Sequence, residues 1–366
     1  MTPTSPPTTP ANTLPKWQPN WSPDHTDPGL PPITVITDPN DHPDYTTTAL
    51  AAHQPAAGRI TVHPTPLATA PAYLAHDLIR ALGKHLPPPD AEPPWWTTNA
   101  DDSWRAAVAW TKALGISHYV VCRAHRITAR HLEHLMALRE HTRIQLTLVV
   151  SGPTPAALAT ICKTVPHHHT DTLEGTRRHL PHAHQPLVAP SERYPWWHPA
   201  PFPAPPDEPW YELPSRPRRP APLTHDSPAV DRATTGRPDT SHEAVAQRIH
   251  TRIGHPVHAA AVAVRVLTGY DTDQLPQVTI PTPQRPRAHL PAHLPTWVIP
   301  LLDASRVYTE LQGHIRSDLP PHLSGADRPF HLASWDKDDV ARASETCSLT
   351  PAPTRKRPNT PRKSRQ

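Results

Sequence analysis

Cys122 and His125 stand three residues apart, and a thiol beside an imidazole is the smallest set that can do nucleophilic chemistry. Cys122, however, closes the apolar run Tyr119-Val120-Val121-Cys122. A cysteine at the mouth of a buried strand serves as a small apolar residue, so no catalytic residue is assigned. Twenty-eight histidines include His167-His168-His169 and His182-Ala183-His184, a composition that could bind metal. Both groups lie in a polar, proline-flanked stretch without cysteine or carboxylate at ligand spacing, so no metal is expected. The third group is cationic: Arg355, Lys356, Arg357, Arg362, Lys363 and Arg365 sit in a run free of acids. Such a run can neutralise phosphates without reading sequence, with a log-log salt slope of at most about −5 if all six engage. It also fits a solubilising terminus.

The elements that would position these groups are clearest at 118–152. Ile144, Leu146, Leu148, Val149 and Val150 form a second apolar run, and both runs carry the β-branched residues of a sheet covered on two faces. Between them Leu132, Leu135, Met136 and Leu138 recur near the helical period, with Thr128 as candidate N-cap. A connection of that length predicts a right-handed crossover between parallel strands. Upstream, Ile33 to Thr37 and Ile60 to His63 read as further strands. Thr46 to Leu50 reads as a helix start, and 72–83 and 104–115 read as helices, the former with Gly83 as C-cap.

The word Cys122-Arg123-Ala124-His125-Arg126-Ile127 at the end of its strand, followed by Leu148-Val149-Val150-Ser151-Gly152-Pro153 at the end of the next, resembles the TniB-like and ExeA-like AAA ATPases. In that family the corresponding word is Asp-Glu-Ala-His-Arg-(Leu/Ile). The resemblance spans about 130 residues, 33 to 163, and implies a three-layer, P-loop NTPase-like α/β domain. It also implies that Cys122 and Arg123 stand where a magnesium-binding aspartate and a water-polarising glutamate would be. The phosphate loop would fall at Asp38 to Tyr45, which has neither glycine nor lysine and carries Asp38, Asp41 and Asp44. Asp38, Pro43, Asp44, Cys122, Arg123 and Ser151 therefore mark a degenerate nucleotide site, with no cofactor expected and enzymatic activity not expected. An ATPase with divergent motifs is the alternative, and a drifted product without retained activity a third.

Proline supplies 55 of 366 residues and glycine only 11, against averages near one in twenty and one in fourteen, so long stretches cannot pack. The excess of Pro, His, Thr, Arg and Ala is what cytosine-rich codons encode, and part of it reads as drift in a high-GC bacterium. The prolines divide the chain into a disordered tail (1–30), the α/β domain (31–180), a Pro/Trp-rich linker (181–240), a helical domain (241–335) and a disordered basic tail (336–366). Trp95-Trp96 and Trp196-Trp197 could dock on a partner or fold back, and the cost of exposing tryptophan favours folding back. Leu267-Thr268-Gly269-Tyr270-Asp271, within 255–280, has a distant resemblance to tyrosine recombinases, but Asp271 occupies the position of the phosphate-binding arginine.

Three scattered cysteines, the lack of a leader-like N-terminus and the absence of any apolar run of about eighteen residues predict a reducing, cytoplasmic location with no membrane contact. The terminal run holds six of the 36 Lys and Arg and none of the 32 acids, leaving 30 basic residues against 32 acidic elsewhere. The expected function is a non-catalytic, AAA-like adaptor or DNA-associated protein of a mobile element or plasmid. Its expected partners are nucleic acid, bound non-specifically, and a protein.

Overall fold

The computed structural model describes residues 29–86, 94–181, 242–268, 270, 272–278, 294–312, 330, 337–347 and 349. Five strands, β1 (Ile33–Asp38), β2 (Arg59–Val62), β3 (His118–Val121), β4 (Gln145–Ser151) and β5 (His167–Thr170), form one parallel sheet in the order β2-β3-β4-β1-β5. The four strands read from the sequence pair as expected. The fifth was not read from the sequence: His167 to His169, in the polar, proline-flanked stretch, form an edge strand paired only with β1. Its side chains are exposed or half-buried, so it shows none of the apolar run that marks a strand covered on both faces.

Side-chain alternation assigns the two faces. Ile33, Val35, Tyr119, Val121, Leu146, Leu148 and Val150 point into the large core. Ile36, Val120, Cys122 and Val149 point the other way, against Tyr45, Ala49 and Ala52 of the segment that begins with α1 (Pro43–Ala51), and against Leu180 beyond α7 (Leu173–His179). The large-core face is covered by α2 (Pro71–Ala81), α4 (Ala100–Ala113), α5 (Ala129–Thr142) and α6 (Ala156–Thr164), with the short α3 (Trp95–Thr98) leading into α4.

Local chemistry sets the helix ends. Thr128 and His131 cap each other's backbone at the start of α5, as the N-cap reading requires. Helix α1 begins at Pro43 rather than near Thr46, because proline is pre-set for the first helical position and the His42 ring accepts the Asp44 N–H. Helix α4 starts at Ala100, four residues before the apolar pattern, because the Asn99 side chain accepts from the N–H groups of Asp101 and Asp102. Trp96 folds back and is buried, while Trp95 is partly exposed.

Of the C-terminal helices, α8 (His242–Arg252), α9 (Pro256–Thr268), α10 (Ile299–Leu311) and α11 (Lys337–Thr346), α10 packs along the outer side of α4 with α9 beside it, α8 and α11 pack against α9, and all share the hydrophobic core of α4. Helix α4 is thus covered both by the sheet layer and by the C-terminal helices, and eleven of its fourteen residues are buried. A helix apolar or small on all sides needs that enclosure. The helical residues of α11 lie where the sequence suggested a disordered tail from 336. No helix among the described residues is long and apolar enough to cross a membrane. The tail at 355–365, the linker at 182–241 and Asp271 lie outside the described residues.

Candidate functional site

In an open parallel sheet, ligands bind beyond the carboxyl ends of two neighbouring strands whose outgoing connections leave to opposite faces. Here β1 runs into α1 on one face, and its neighbour β4 runs into α6 on the other. The crevice between their loops, residues 39–42 and 152–155, is therefore the place to look for chemistry. The loop after β3 closes its third side.

Three of the six positions singled out from the sequence meet there. Asp38 ends β1, 1% exposed; its Oδ1 accepts the Asn40 N–H at 3.2 Å, its carbonyl accepts the Gly152 N–H at 2.8 Å, and its Oδ2 is buried without a partner. Ser151 ends β4, and its N–H donates to Nδ1 of His125 at 3.1 Å. Arg123 takes the left-handed backbone conformation (φ 49°), which aims its Nη1 at Asp41 Oδ2, 3.4 Å away. The other three do not join them. Pro43 and Asp44 begin α1, with Asp44 3.8 Å from the His42 ring. Cys122 points into the core beneath α1, and burial pushes its thiol up to about 12.

The sequence did not single out Asp41 or assign His125 a role, yet the two rivet the crevice. Asp41 also has a left-handed backbone (φ 52°), uncommon outside glycine, asparagine and aspartate. Its carboxyl is held below the ordinary carboxylate range by a hydrogen bond from the Ser151 side chain and by the charges of Arg123 and His125, against the opposing effect of burial. His125 is pushed below the ordinary histidine range by burial and by Arg126 and Arg123. Together these contacts link the loops after β1, β3 and β4. The Asp-Pro-Asn-Asp turn was the available signal for Asp41, but its partners lie 82 or more residues away.

The arrangement can do little with phosphate. The N-terminal end of α1, the natural anion site after the first strand, is already occupied by the His42 ring and the Asp44 carboxylate. Arg123 is turned to Asp41, and three aspartates lie within the seven residues 38–44. On β5, Nε2 of His169 bonds Thr37 Oγ1 at 3.0 Å and His168 stacks on His179. No group of three or more His, Cys, Asp or Glu side chains suited to a metal is found among the described residues. Comparison of the chain with protein-family models, curated proteins and solved structures finds no match.

Proposed function

We propose that the chain is a non-catalytic scaffold related to the P-loop, AAA-type ATPases, acting as an adaptor in a DNA-associated process of a mobile element or plasmid. The observation that supports this reading most is the crevice between β1 and β4. It lies beyond the carboxyl ends of the strands, where open parallel sheets bind ligands, yet its loops are bridged by the Arg123–Asp41 pair and by the bond from the Ser151 N–H to His125. The resemblance at Ala124-His125-Arg126 and Ser151-Gly152-Pro153 lies on the same two loops. Loops so joined suit a fixed surface for a protein partner better than a site that must open around a polyphosphate.

Titration with ATP and magnesium tests the first half of this reading. Each missing charge-assisted contact removes on the order of 1.5 to 3 kcal/mol. Loss of the lysine and of the glycine-lined amide cradle should therefore leave a dissociation constant of about 1 mM or weaker. Micromolar binding in a calorimeter would instead establish the divergent-ATPase alternative.

Nucleic-acid association should come from Arg355, Lys356, Arg357, Arg362, Lys363 and Arg365. Deleting 351–366 is expected to abolish most non-specific duplex binding at low salt and to flatten its salt dependence, with the unfolding midpoint of the remainder unchanged. Unaltered DNA affinity in the truncated chain would move the interface to the C-terminal helices, where Arg248, Arg252 and Arg265 are the next candidates. An intact chain that ignores DNA would leave the protein-adaptor role alone.

A further inference from the structure

Arg123 opens and Arg126 closes the single turn that follows β3, and the two are not alike. Arg123 is engaged by Asp41. Arg126 is half-buried, yet among the described residues its guanidinium meets no carboxylate and no carbonyl, and its Nη1 is enclosed without a partner. Proteins seldom enclose part of a cation without pairing it. Nε and Nη2 are not enclosed: they form the open edge of the guanidinium, the edge that meets an oxyanion through two parallel N–H bonds. A ligand need only reach that edge, not the enclosed nitrogen.

Further donors stand around it. The Cys122 N–H donates to the Val62 carbonyl at 2.8 Å, which sets His63, the residue after β2, beside the start of the turn. Both arginines lie near enough to the rings of His63 and His125 for their charges to disfavour protonation of either. His125 accepts the Ser151 N–H at its Nδ1, so its neutral ring carries the proton at Nε2, where solvent reaches it. The loops after β2 and β3 thus bring cations and N–H donors together. Asp41 opposes an anion here, but it is held by Arg123 and by the Ser151 side chain. The number of oxygens decides what fits. A carboxylate would use both of its oxygens on the Arg126 edge, whereas a phosphate group keeps others for His125 Nε2 and His63.

We propose that one phosphate group, free or carried on a protein side chain, binds at the Nε–Nη2 edge of Arg126 with His125 and His63 beside it.

Calorimetry on the full chain at about pH 7.5, where a phosphate group is mostly dianionic, tests this with inorganic phosphate, N-acetyl-phosphoserine amide and acetate as probes. The better phosphate probe should bind with a dissociation constant of about 1 mM or below, and acetate at least about tenfold more weakly. Inorganic phosphate bound as tightly as the phosphoserine probe would identify the free ion as a sufficient ligand, and tighter binding of the phosphoserine probe would identify a modified partner segment. Arg126→Gln should weaken the better probe about tenfold, and Arg126→Lys, which keeps the charge but not the two-pronged edge, about threefold. Arg126→Lys also keeps the test open if Arg126→Gln fails to fold. Arg130→Gln, at an exposed arginine four residues on, should change nothing. The six cations at 355–365 are the same in every variant, so the differences among variants report on this site. No heat at about 10 mM phosphate, acetate bound as tightly as phosphate, full affinity in folded Arg126→Gln, or an equal loss in Arg130→Gln would each overturn the assignment. ATP with magnesium held in the β1/β4 crevice would survive Arg126→Gln, so this assignment and the reading of that crevice fail separately.

Discussion

Between pH 6.5 and about 4 the protein should lose most of its stability and unfold in water without denaturant. His53, His76 and His118 are each brought down to about 4 by burial, and His250 and His255 are pushed well below the ordinary histidine range by the same cause. In the unfolded chain these rings titrate near 6.5. Above that pH both states are neutral and the rings contribute nothing. Below it the unfolded chain takes up protons that the folded chain refuses, so stability falls with pH down to the folded values. A ring brought from 6.5 to about 4 withdraws on the order of 3 kcal/mol when the window has been crossed. Several such rings together match the 5–15 kcal/mol that holds a typical domain.

Lys84 extends the slope upward. Its Nζ lies 3.8 Å above the Trp110 ring and donates to the His250 carbonyl at 2.7 Å, contacts that favour the ammonium; burial nevertheless lowers it to about 7. Stability should therefore keep rising from about pH 7 toward 10. Cys122 and Cys347, raised by burial to about 12 and about 11, reverse the trend once the unfolded thiols ionise near 9. A maximum near pH 8 to 9 follows. Urea midpoints followed by circular dichroism across this range provide the measurement, with His118→Asn expected to remove one proton from the uptake below pH 6.5. A midpoint unchanged between pH 7 and 4.5 would show that the histidines do not control stability.

The acid sensitivity is invisible in composition, where 28 histidines read as codon bias; what matters is which of them the fold encloses. The same distinction separates what the sequence disclosed from what it hid. Strands β1 to β4 were legible because burial on both faces leaves a continuous apolar run, and α5 because its period and its Thr128 cap agree. Strand β5 was hidden because an exposed edge needs no apolar residues. The sharing of one core by α4 and the C-terminal helices was hidden because contacts such as Trp110 with Gly254, 144 residues on, leave no local periodicity. In the candidate site, Asp38, Arg123 and Ser151 could be placed from their positions at strand ends. The pairing of Arg123 with Asp41 depends on two left-handed residues, which only the folded chain displays.

Trp110→Ala should cost about 3–5 kcal/mol, the range of a fully buried large-to-small change. It should also unfold the C-terminal helices together with the sheet. The indole is fully buried, its Nε1 donates to the Gly254 carbonyl at 2.7 Å, and its face carries Lys84, so alanine leaves a cavity, an orphan carbonyl and a buried Lys84 side chain without its ring. One turn or more away on the same helix, Asp102 tests the joint by charge. Its Oδ1 accepts from Arg105 Nη1 at 2.5 Å and from the Tyr308 hydroxyl of α10 at 3.1 Å, with Asp102 and Arg105 both buried. Asp102→Asn keeps an acceptor but strands the guanidinium, at a cost of about 3 kcal/mol, whereas Tyr308→Phe removes one hydrogen bond and should cost about 1 kcal/mol. Equilibrium unfolding of each variant, read by backbone circular dichroism and by tryptophan fluorescence, should give coincident transitions, as expected of one cooperative core. If α8 to α11 formed a separate unit, Trp110→Ala would release them in an earlier transition and leave the sheet's midpoint where it was. Each residue at this joint is held from both sides, so a change on α4 should register in both layers at once.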